Sequence, residues 1–519
     1  MRSLVSSEEM RAAEQEAATR GLTSEALMQL AGRGAARALL DRPGGRSARY
    51  LVLAGPGNNG GDALVVAGLL QAAGAMVQII TYKRTQPSRV DPPGVPRFES
   101  TEDPAGARLI EALQWCDVVI DGLLGTGTAR PPAPDLAAIL RAVNEAAGRR
   151  QVVALDLPTG VQPDNGRVYD DALHAQRTLT FGYVKRGLLL YPARAHCGVI
   201  QVIDIGLPEP PAAPAAASEP DVADIRAWLP ERSVTAHKYS AGAVLALAGT
   251  PHFVGAPLLC TTAALRAGAG YVTLAVTPET MRALGARILE TTMLPLPSHA
   301  DGSVDAGAFD QIKAAASRYP ALLVGPGLGR EESTQQLILR VLTEDLQGPR
   351  AAVIDADALV ALSLSAAGPA GVRLPAVLTP HTGEMARLTG LSAAEIEADR
   401  FDVATRFARQ WGKVVVLKGA PTVIAAPTGE LAVNPTGNQL LATAGTGDVL
   451  SGVVAAFLAG GAAPYDAARA AVYIHGLAAD LAIPDFGDRG LIAGDLLALL
   501  PRAIKQVREG ASVDRTCLR

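Results

Sequence analysis

The sequence has few cysteines, no long apolar run and no excess of positive charge, and each shortage removes a class of protein. Only 4 cysteines occur in 519 residues, Cys116, Cys197, Cys260 and Cys517, and none forms a C-x-x-C pair. Neither a zinc site nor a disulfide framework is signalled, and a reducing cytoplasm suits the chain. Hydrophobic residues make up 49%, yet every apolar run, "LSGVVAAFLAGGAA" included, is shorter than the ~20 residues of a membrane span or is broken by glycine and polar groups. Lysine and arginine total 47 against 51 acids, a formal charge of −4. No basic stripe emerges, so nucleic acid is disfavoured as a partner. The opening "MRSLVSSEEMRAAEQEAA" is a helical stretch of mixed charge without the apolar region of a secretory signal.

What is present is the pattern of a soluble α/β protein with more than one core. A chain of 519 residues exceeds the roughly 100–200 of an ordinary domain. The stretch "GLPEPPAAPAAASEPD" (206–221), rich in proline and alanine and without a hydrophobic period, reads as an extended linker. Before it, short apolar runs such as "YLVLAG" (50–55), "DVVIDG" (117–122) and "QVVALDLP" (151–158) alternate with helical patterns. Continuous apolar strands separated by helices predict a doubly wound parallel sheet covered on both faces, a Rossmann-like first domain. The alternation restarts after the linker with "GAVLALAG" (242–249), "ALLVGPG" (321–327) and "KVVVLKG" (413–419). "PTVIAAPTGELAVN" (421–434) then suggests a hairpin on the sheet edge, and alanine-rich helices follow from about 446. The second domain is a larger α/β/α sandwich.

In doubly wound sheets, ligands sit outside the carboxyl ends of the strands, so residues just after each strand are the candidates. "GPGNNGGD" (55–62) gives glycines that let backbone N–H groups approach an anion at a helix start, and two asparagines that add carbonyl acceptors. It is not the G-x-G-x-x-G dinucleotide pattern. Two later strand ends deliver Asp121, ahead of "GLLGTGTARP", and Asp156, ahead of "LPTG". Each acid alone reads equally as a cap or loop anchor; their convergence at one sheet end favours chemistry.

Taken in order, "GPGNNGGDALV", "DGLLGTG", "DLPTGVQPDNG" and "TLTFGYVKRGL" resemble the N-terminal epimerase domain of the NAD(P)H-hydrate repair enzymes, over about residues 1–210. The resemblance implies interconversion of the R and S epimers of NADHX and NADPHX, cofactors damaged by addition of water at C6 of the nicotinamide ring. It implies a potassium ion on Asn59, Asp121 and Thr159. It also implies substrate contacts from Asn58, Asn59, Gly60, Gly61 and Asp62, from Gly125, Thr126, Gly127, Thr128, Ala129, Arg130 and Pro131, and from Asp156. Two positions depart from the family, which has glycine at Ala63 and serine at Thr159; threonine keeps the hydroxyl, and Ala63 is tolerable where its φ is negative. Asp156 is the expected general acid–base. Lys185 is expected to assist it or to neutralise the cofactor phosphates, with a solvated surface lysine as the bland alternative.

The second half carries "GPGLGR" (325–330), "LTPHTGEMARL" (378–388), "LKGAPTVI" (417–424) and "NPTGNQLLATAGTGDVLSG" (434–452). "GTGD" at a helix start points N–H groups and the positive end of the helix dipole at a phosphate, and sets Asp448 where it can take a proton from an attacking hydroxyl. The bland alternative is a plain N-cap. With "HKYSAGAVLALAGT" and "IDADAL", these motifs resemble the ribokinase-like NAD(P)H-hydrate dehydratase domain, expected over 222–519 after a linker at 211–221. The resemblance implies dehydration of S-NAD(P)HX at the expense of ADP or ATP with Mg²⁺. Asp448 would be the base. Lys418, Gly419, Ala420, Pro421, Thr422, Asn438, Thr443, Ala444, Gly445, Thr446 and Gly447 would hold the nucleotide, and Ala256, Gly327, His381 and Asp448 the hydrate. His381 reads alternatively as a residue ordering its own turn, and Lys418 as a strand-end lysine in solvent. A homo-oligomer is compatible with the sequence. The competing function is a small-molecule kinase of the ribokinase superfamily with a non-catalytic N-terminal binding domain.

Overall fold

The computed structural model describes residues 1–84, 90–103, 105–127, 130–208 and 217–510. These fall into two compact units, one comprising residues 3–208, the other 217–510 with Met1 and Arg2. No helix among the described residues is long and apolar enough to cross a membrane.

The first unit is built on seven parallel strands. In chain order these are Arg49–Ala54, Met76–Thr81, Arg97–Glu99, Val118–Gly122, Gln151–Leu155, Arg177–Phe181 and Val199–Ile203, and their spatial order is 3-2-1-4-5-6-7. Side chains alternate across a strand, and here both sets are apolar. Tyr50, Val52 and Ala54 pack with the helices Ser24–Leu40 and Asn58–Ala72 on one face. Leu51 and Leu53 pack with Ala107–Trp115 and Pro134–Ala146 on the other. The order reverses between the first and fourth strands, so a crevice opens beyond Ala54 and Gly122.

The second unit repeats the device. Its strands Ala243–Leu247, Tyr271–Val276, Thr292–Pro295, Ala321–Val324, Ala351–Ile354, Ala376–Leu378 and Val414–Leu417 are parallel, again in the order 3-2-1-4-5-6-7. An antiparallel hairpin, Val423–Ala425 and Leu431–Val433, continues the sheet. It is not the edge expected from the sequence, because Ala217–Glu219 adds parallel to Leu431–Val433. These three residues were expected in the linker; the hairpin's free N–H and C=O groups recruit them into a strand. Residues 209–216 of the proline-rich stretch lie outside the described residues. Helix Thr446–Ala459 is buried nearly all round at the centre of the helical layer, as its uniformly apolar sequence dictates. It crosses helix Gly255–Arg266 at Gly452, where a Cβ would lie 2.1 Å from the Cys260 carbonyl oxygen.

Candidate active sites

In the first unit the turn after strand Arg49–Ala54 leads directly into helix Asn58–Ala72. A Cβ at Gly60 would lie 2.0 Å from the Gly55 oxygen, so only glycine permits this tight entry. Ala63 sits inside the helix, where negative φ makes alanine acceptable. The buried Asn59 donates through Nδ2 to the carbonyls of Leu124 at 2.9 Å and Leu155 at 3.0 Å, leaving its Oδ1 buried without a partner. Asp121 is fully buried and accepts from the Thr159 N–H and hydroxyl, both at 2.8 Å, and from the Leu123 N–H at 3.1 Å. Thr159 Oγ1 in turn accepts from the Leu124 N–H. All these donors are neutral, and burial pushes the Asp121 carboxyl up to about 6. An orphaned amide oxygen and an uncompensated buried carboxylate, both tied to the 121–124 segment, are a donor set suited to a hard cation.

Asp156 ends its strand with φ +65°, a left-handed conformation rare outside glycine. Its carboxylate binds the ammonium of Lys185, which is completely buried and also donates to the Phe181 carbonyl at 3.0 Å and Thr180 Oγ1 at 3.3 Å. Lys185 is therefore no surface lysine. A Cβ on Gly125 would lie 3.7 Å from Asp156 Oδ2 and 3.2 Å from Asn59 Cβ, which brings the start of the 125–131 loop against both. Two acids extend the cluster. Asp62 is pushed well above the usual carboxylate range by burial and then by Asp156 and Glu14. Glu14 is raised by burial and by Asp156. Thr126 is half-buried, while Asn58, Gly127, Arg130 and Pro131 are exposed; Thr128 and Ala129 lie outside the described residues.

Sequence reasoning missed Glu14, which enters from helix Ser7–Thr19, and Arg84, whose guanidinium donates to the carbonyls of Gly55 and Gly57 at 3.0 Å. Arg84 turns those carbonyls toward itself, though nothing in a single arginine after a strand foretells it.

In the second unit Gly445, with φ +91°, is the N-cap of helix Thr446–Ala459 and supplies no side chain. Asp448 is the third helical residue, and no side chain makes a capping bond at this helix start, so the N-cap reading is set aside. Burial, followed by repulsion from Asp355 and against the opposing attraction of Lys418, pushes its carboxyl up to about 7. The Lys418 ammonium is 3.0 Å from Asp355 Oδ1 and 3.7 Å from Glu384 Oε2. A Cβ on Gly447 would meet it at 3.4 Å. Burial alone would lower the Lys418 pKa, but these carboxylates outweigh it and leave it raised, so Lys418 is not a solvent lysine.

The loops expected from the sequence to hold the nucleotide are tied down by their own polar groups. Thr446 Oγ1 donates to the Leu441 and Thr443 carbonyls at 2.9 Å, and Thr443 Oγ1 to those of Leu440 and Leu491 at 3.2 Å. Asn438 Oδ1 accepts from the Leu440 N–H, while its Nδ2 and the Gly437 N–H donate to Asp480. Buried Arg400 clamps the Lys418–Thr422 turn through the carbonyls of Leu417 and Lys418, and Thr422 Oγ1 closes it onto the Gly419 carbonyl at 3.1 Å. Gly327, at φ +65°, packs so closely that a Cβ would lie 3.0 Å from that of Ala256. His381 does order its own turn, Nδ1 accepting from the Gly383 and Glu384 N–H groups at 3.0 and 3.3 Å, yet its side chain is 59% exposed, so its outer edge remains available. Asp355, Asp480 and Arg400 went unnamed in the sequence reading, and Glu384 entered it only as part of the turn that His381 orders. "IDADAL" and "HTGE" did flag the segments of Asp355 and Glu384, but the pairing of Asp355 with Lys418 across 63 residues is visible only in three dimensions.

Comparison with known proteins yields two family matches: YjeF-related protein N-terminus over residues 24–187 and NAD(P)H-hydrate dehydratase over 244–502. The bifunctional NAD(P)H-hydrate repair enzyme of Moorella thermoacetica is 40% identical over 400 residues, covering 77% of this chain and 74% of that protein. The enzyme of the same name from Escherichia coli K12 is 34% identical over 389 residues, covering 75% and 72%. Among solved structures, an ADP/ATP-dependent NAD(P)H-hydrate dehydratase from Bacillus subtilis, co-crystallised with ATP and Mg²⁺, is 35% identical with a TM-score of 0.47, covering 55% of this chain and 96% of that one.

Proposed function

The chain belongs to the family of bifunctional NAD(P)H-hydrate repair enzymes, and on that premise we propose how its two sites divide the repair. An epimerase domain over 1–210 interconverts R- and S-NAD(P)HX. A dehydratase domain that begins with the strand Ala217–Glu219, ahead of the 222 boundary expected from the sequence, returns the S epimer to NAD(P)H at the expense of ADP or ATP. The buried free thiols of Cys116, Cys197 and Cys260 suit a cytoplasmic setting.

In the first site Asp156 relays a proton from the Lys185 ammonium to the departing C6 hydroxyl and takes one back from the water that returns on the other face. The ring nitrogen carries the positive charge in between. The 58–62 and 125–131 loops hold the hydrate. Asn59, Asp121 and Thr159 are assigned to potassium, supported by the orphaned Asn59 oxygen and the uncompensated Asp121 carboxylate. When bound, the ion neutralises Asp121 and ties together the loops that bear these oxygens.

In the second site Asp448 takes the proton of the C6 hydroxyl as that oxygen attacks the terminal phosphorus of the nucleotide, whose bridging P–O bond breaks to release the nucleotide shortened by one phosphate. The Gly445–Gly447 backbone faces the transferred charge. Phosphate then leaves C6 in place of hydroxide, and loss of a C5 proton restores the dihydropyridine. Lys418–Thr422, Asn438 and Thr443–Gly447 hold the nucleotide; Ala256, Gly327, His381 and Asp448 hold the hydrate. Asp357 is paired with Arg330, and the remaining Asp355, Glu384 and Asp448 outnumber the one ammonium of Lys418, a charge balance that suits Mg²⁺ carried in on the nucleotide phosphates, with Asp355 and Glu384 as the adjacent carboxylates.

The observation that carries the reading is Asp448, held near neutral pKa at an uncapped glycine turn beside a buried ammonium. Incubating mixed R- and S-NADHX with the protein and ADP should regenerate NADH from the whole mixture, after subtraction of spontaneous epimerisation, with ADP outpacing ATP. A plateau at the S fraction would remove the epimerase. A stable phosphorylated alcohol without NADH would make the second domain an ordinary kinase.

A further inference from the structure

The strand order of the second unit reverses at Ala243–Leu247 and Ala321–Val324, and the loops that follow these two strands flank the resulting crevice. They are joined by the Gly249 N–H donating to the Pro326 carbonyl at 2.8 Å and the Gly325 N–H to that of Leu247 at 3.1 Å. Phe253 stands on the first loop with 56% of its surface exposed, against 37% for Phe486, 9% for Phe407 and 1–3% for Phe309, Phe401 and Phe457 of the same unit. A single exposed apolar residue is ordinary; the placement of this one is not. Its N–H is fixed to the Thr250 carbonyl at 3.0 Å, and Gly327 approaches so closely that a Cβ there would lie 2.9 Å from Phe253 Cβ. The Cβ of Phe253 is thus seated against a glycine, three residues before Ala256. The helix that begins at Gly255 carries Leu259, which lies against Gly445 of the turn bearing Asp448.

We propose that Phe253 is a positioning residue for the hydrate, its ring covering one face of the hydrated nicotinamide so that the C6 hydroxyl is presented to Asp448. The inference rests on the dehydratase reading. The chemistry favours this ligand over the phosphates, for which a phenyl ring offers nothing, and an aromatic face holds a flat conjugated amide at the cost of only two torsions. The hydrated ring keeps that conjugation from N1 through C2 and C3 to the carboxamide, and its configuration at C6 must be sensed for one epimer alone to react.

Steady-state kinetics on the full-length protein, with S-NADHX and nucleotide varied in turn, test the assignment. Phe253→Ala should raise the KM for the hydrate about tenfold, the scale of one aromatic stack, and leave the KM for the nucleotide within about twofold. Phe253→Tyr should restore the wild-type value, and Phe253→Leu, which keeps bulk without an aromatic face, should not. An unchanged hydrate KM in Phe253→Ala, full rescue by leucine, or a rise in the nucleotide KM instead would each overturn the proposal. Wild-type protein that fails to dehydrate S-NADHX at all would overturn the dehydratase reading and this inference with it.

Discussion

A carboxylate three residues into a helix ordinarily rests in the favourable field of the helix N-terminus and ionises readily. Asp448 does the opposite: burial, and then repulsion from Asp355, raise its pKa to about 7. A base is most useful when its pKa lies near working pH, since it is then both ionised and basic enough to take a proton. The same shift has a stability consequence of definite sign. The folded-state pKa exceeds the ordinary value, so the native protein binds the extra proton between about pH 4 and 7; the associated stability is present below this window and lost as pH rises through 7. Asp448→Asn should therefore be more stable than wild type at pH 8.5 in nucleotide-free and Mg²⁺-free buffer, by at most about 4 kcal/mol, with the gap falling to roughly a third of that at pH 5. Equal differences at both pH values in calorimetry would refute the shift. The carboxylate itself was legible from "GTGD". Its tuning was not, because Asp355 is recruited from a different strand end and is held there by Lys418.

At the scale of elements, the strands were readable because both faces of each parallel sheet are buried, so every residue of runs such as Tyr50–Ala54 had to be apolar. What periodicity could not supply was a short edge pairing like Ala217–Glu219, where three residues of unremarkable composition join a strand only because a hairpin edge is open to them. Nor could it show that Glu14 reaches the first site, since a capped amphipathic helix looks the same whichever way its acids point. The entry to helix Asn58–Ala72 joins three segments: Asn59 bridges the carbonyls of Leu124 and Leu155, and Thr159 bridges Asp121 and Leu124. A cation there should act as a clamp. Potassium chloride should raise the midpoint of thermal inactivation of epimerisation relative to choline chloride at equal ionic strength, by roughly 2–4 °C for each kcal/mol of ion binding. Asp121→Asn should abolish the difference. A wild-type midpoint indifferent to the cation would remove potassium from the site.

At the scale of the whole molecule, two units each close a core around a sheet of the same strand order, and each delivers one acid to its own switch point. Asp156 lies within one unit and Asp448 within the other, and the partners that tune them, Lys185 and Lys418, belong to the same unit as the acid they serve. The two chemistries should therefore separate cleanly by mutation. Asp448→Asn should lower nucleotide-dependent dehydration of S-NADHX by about 10²–10⁴-fold, the usual cost of losing a positioned base, and leave epimerisation within twofold of wild type. Asp156→Asn should do the reverse: pure S-NADHX is dehydrated at the wild-type rate, while pure R-NADHX yields NADH only as fast as it epimerises spontaneously. The amide is nearly isosteric with the acid, so a melt no lower than that of wild type at pH 6 distinguishes lost chemistry from lost fold. Loss of both activities in either variant, with the fold intact, would mean that the units depend on one another and that the division of labour fails.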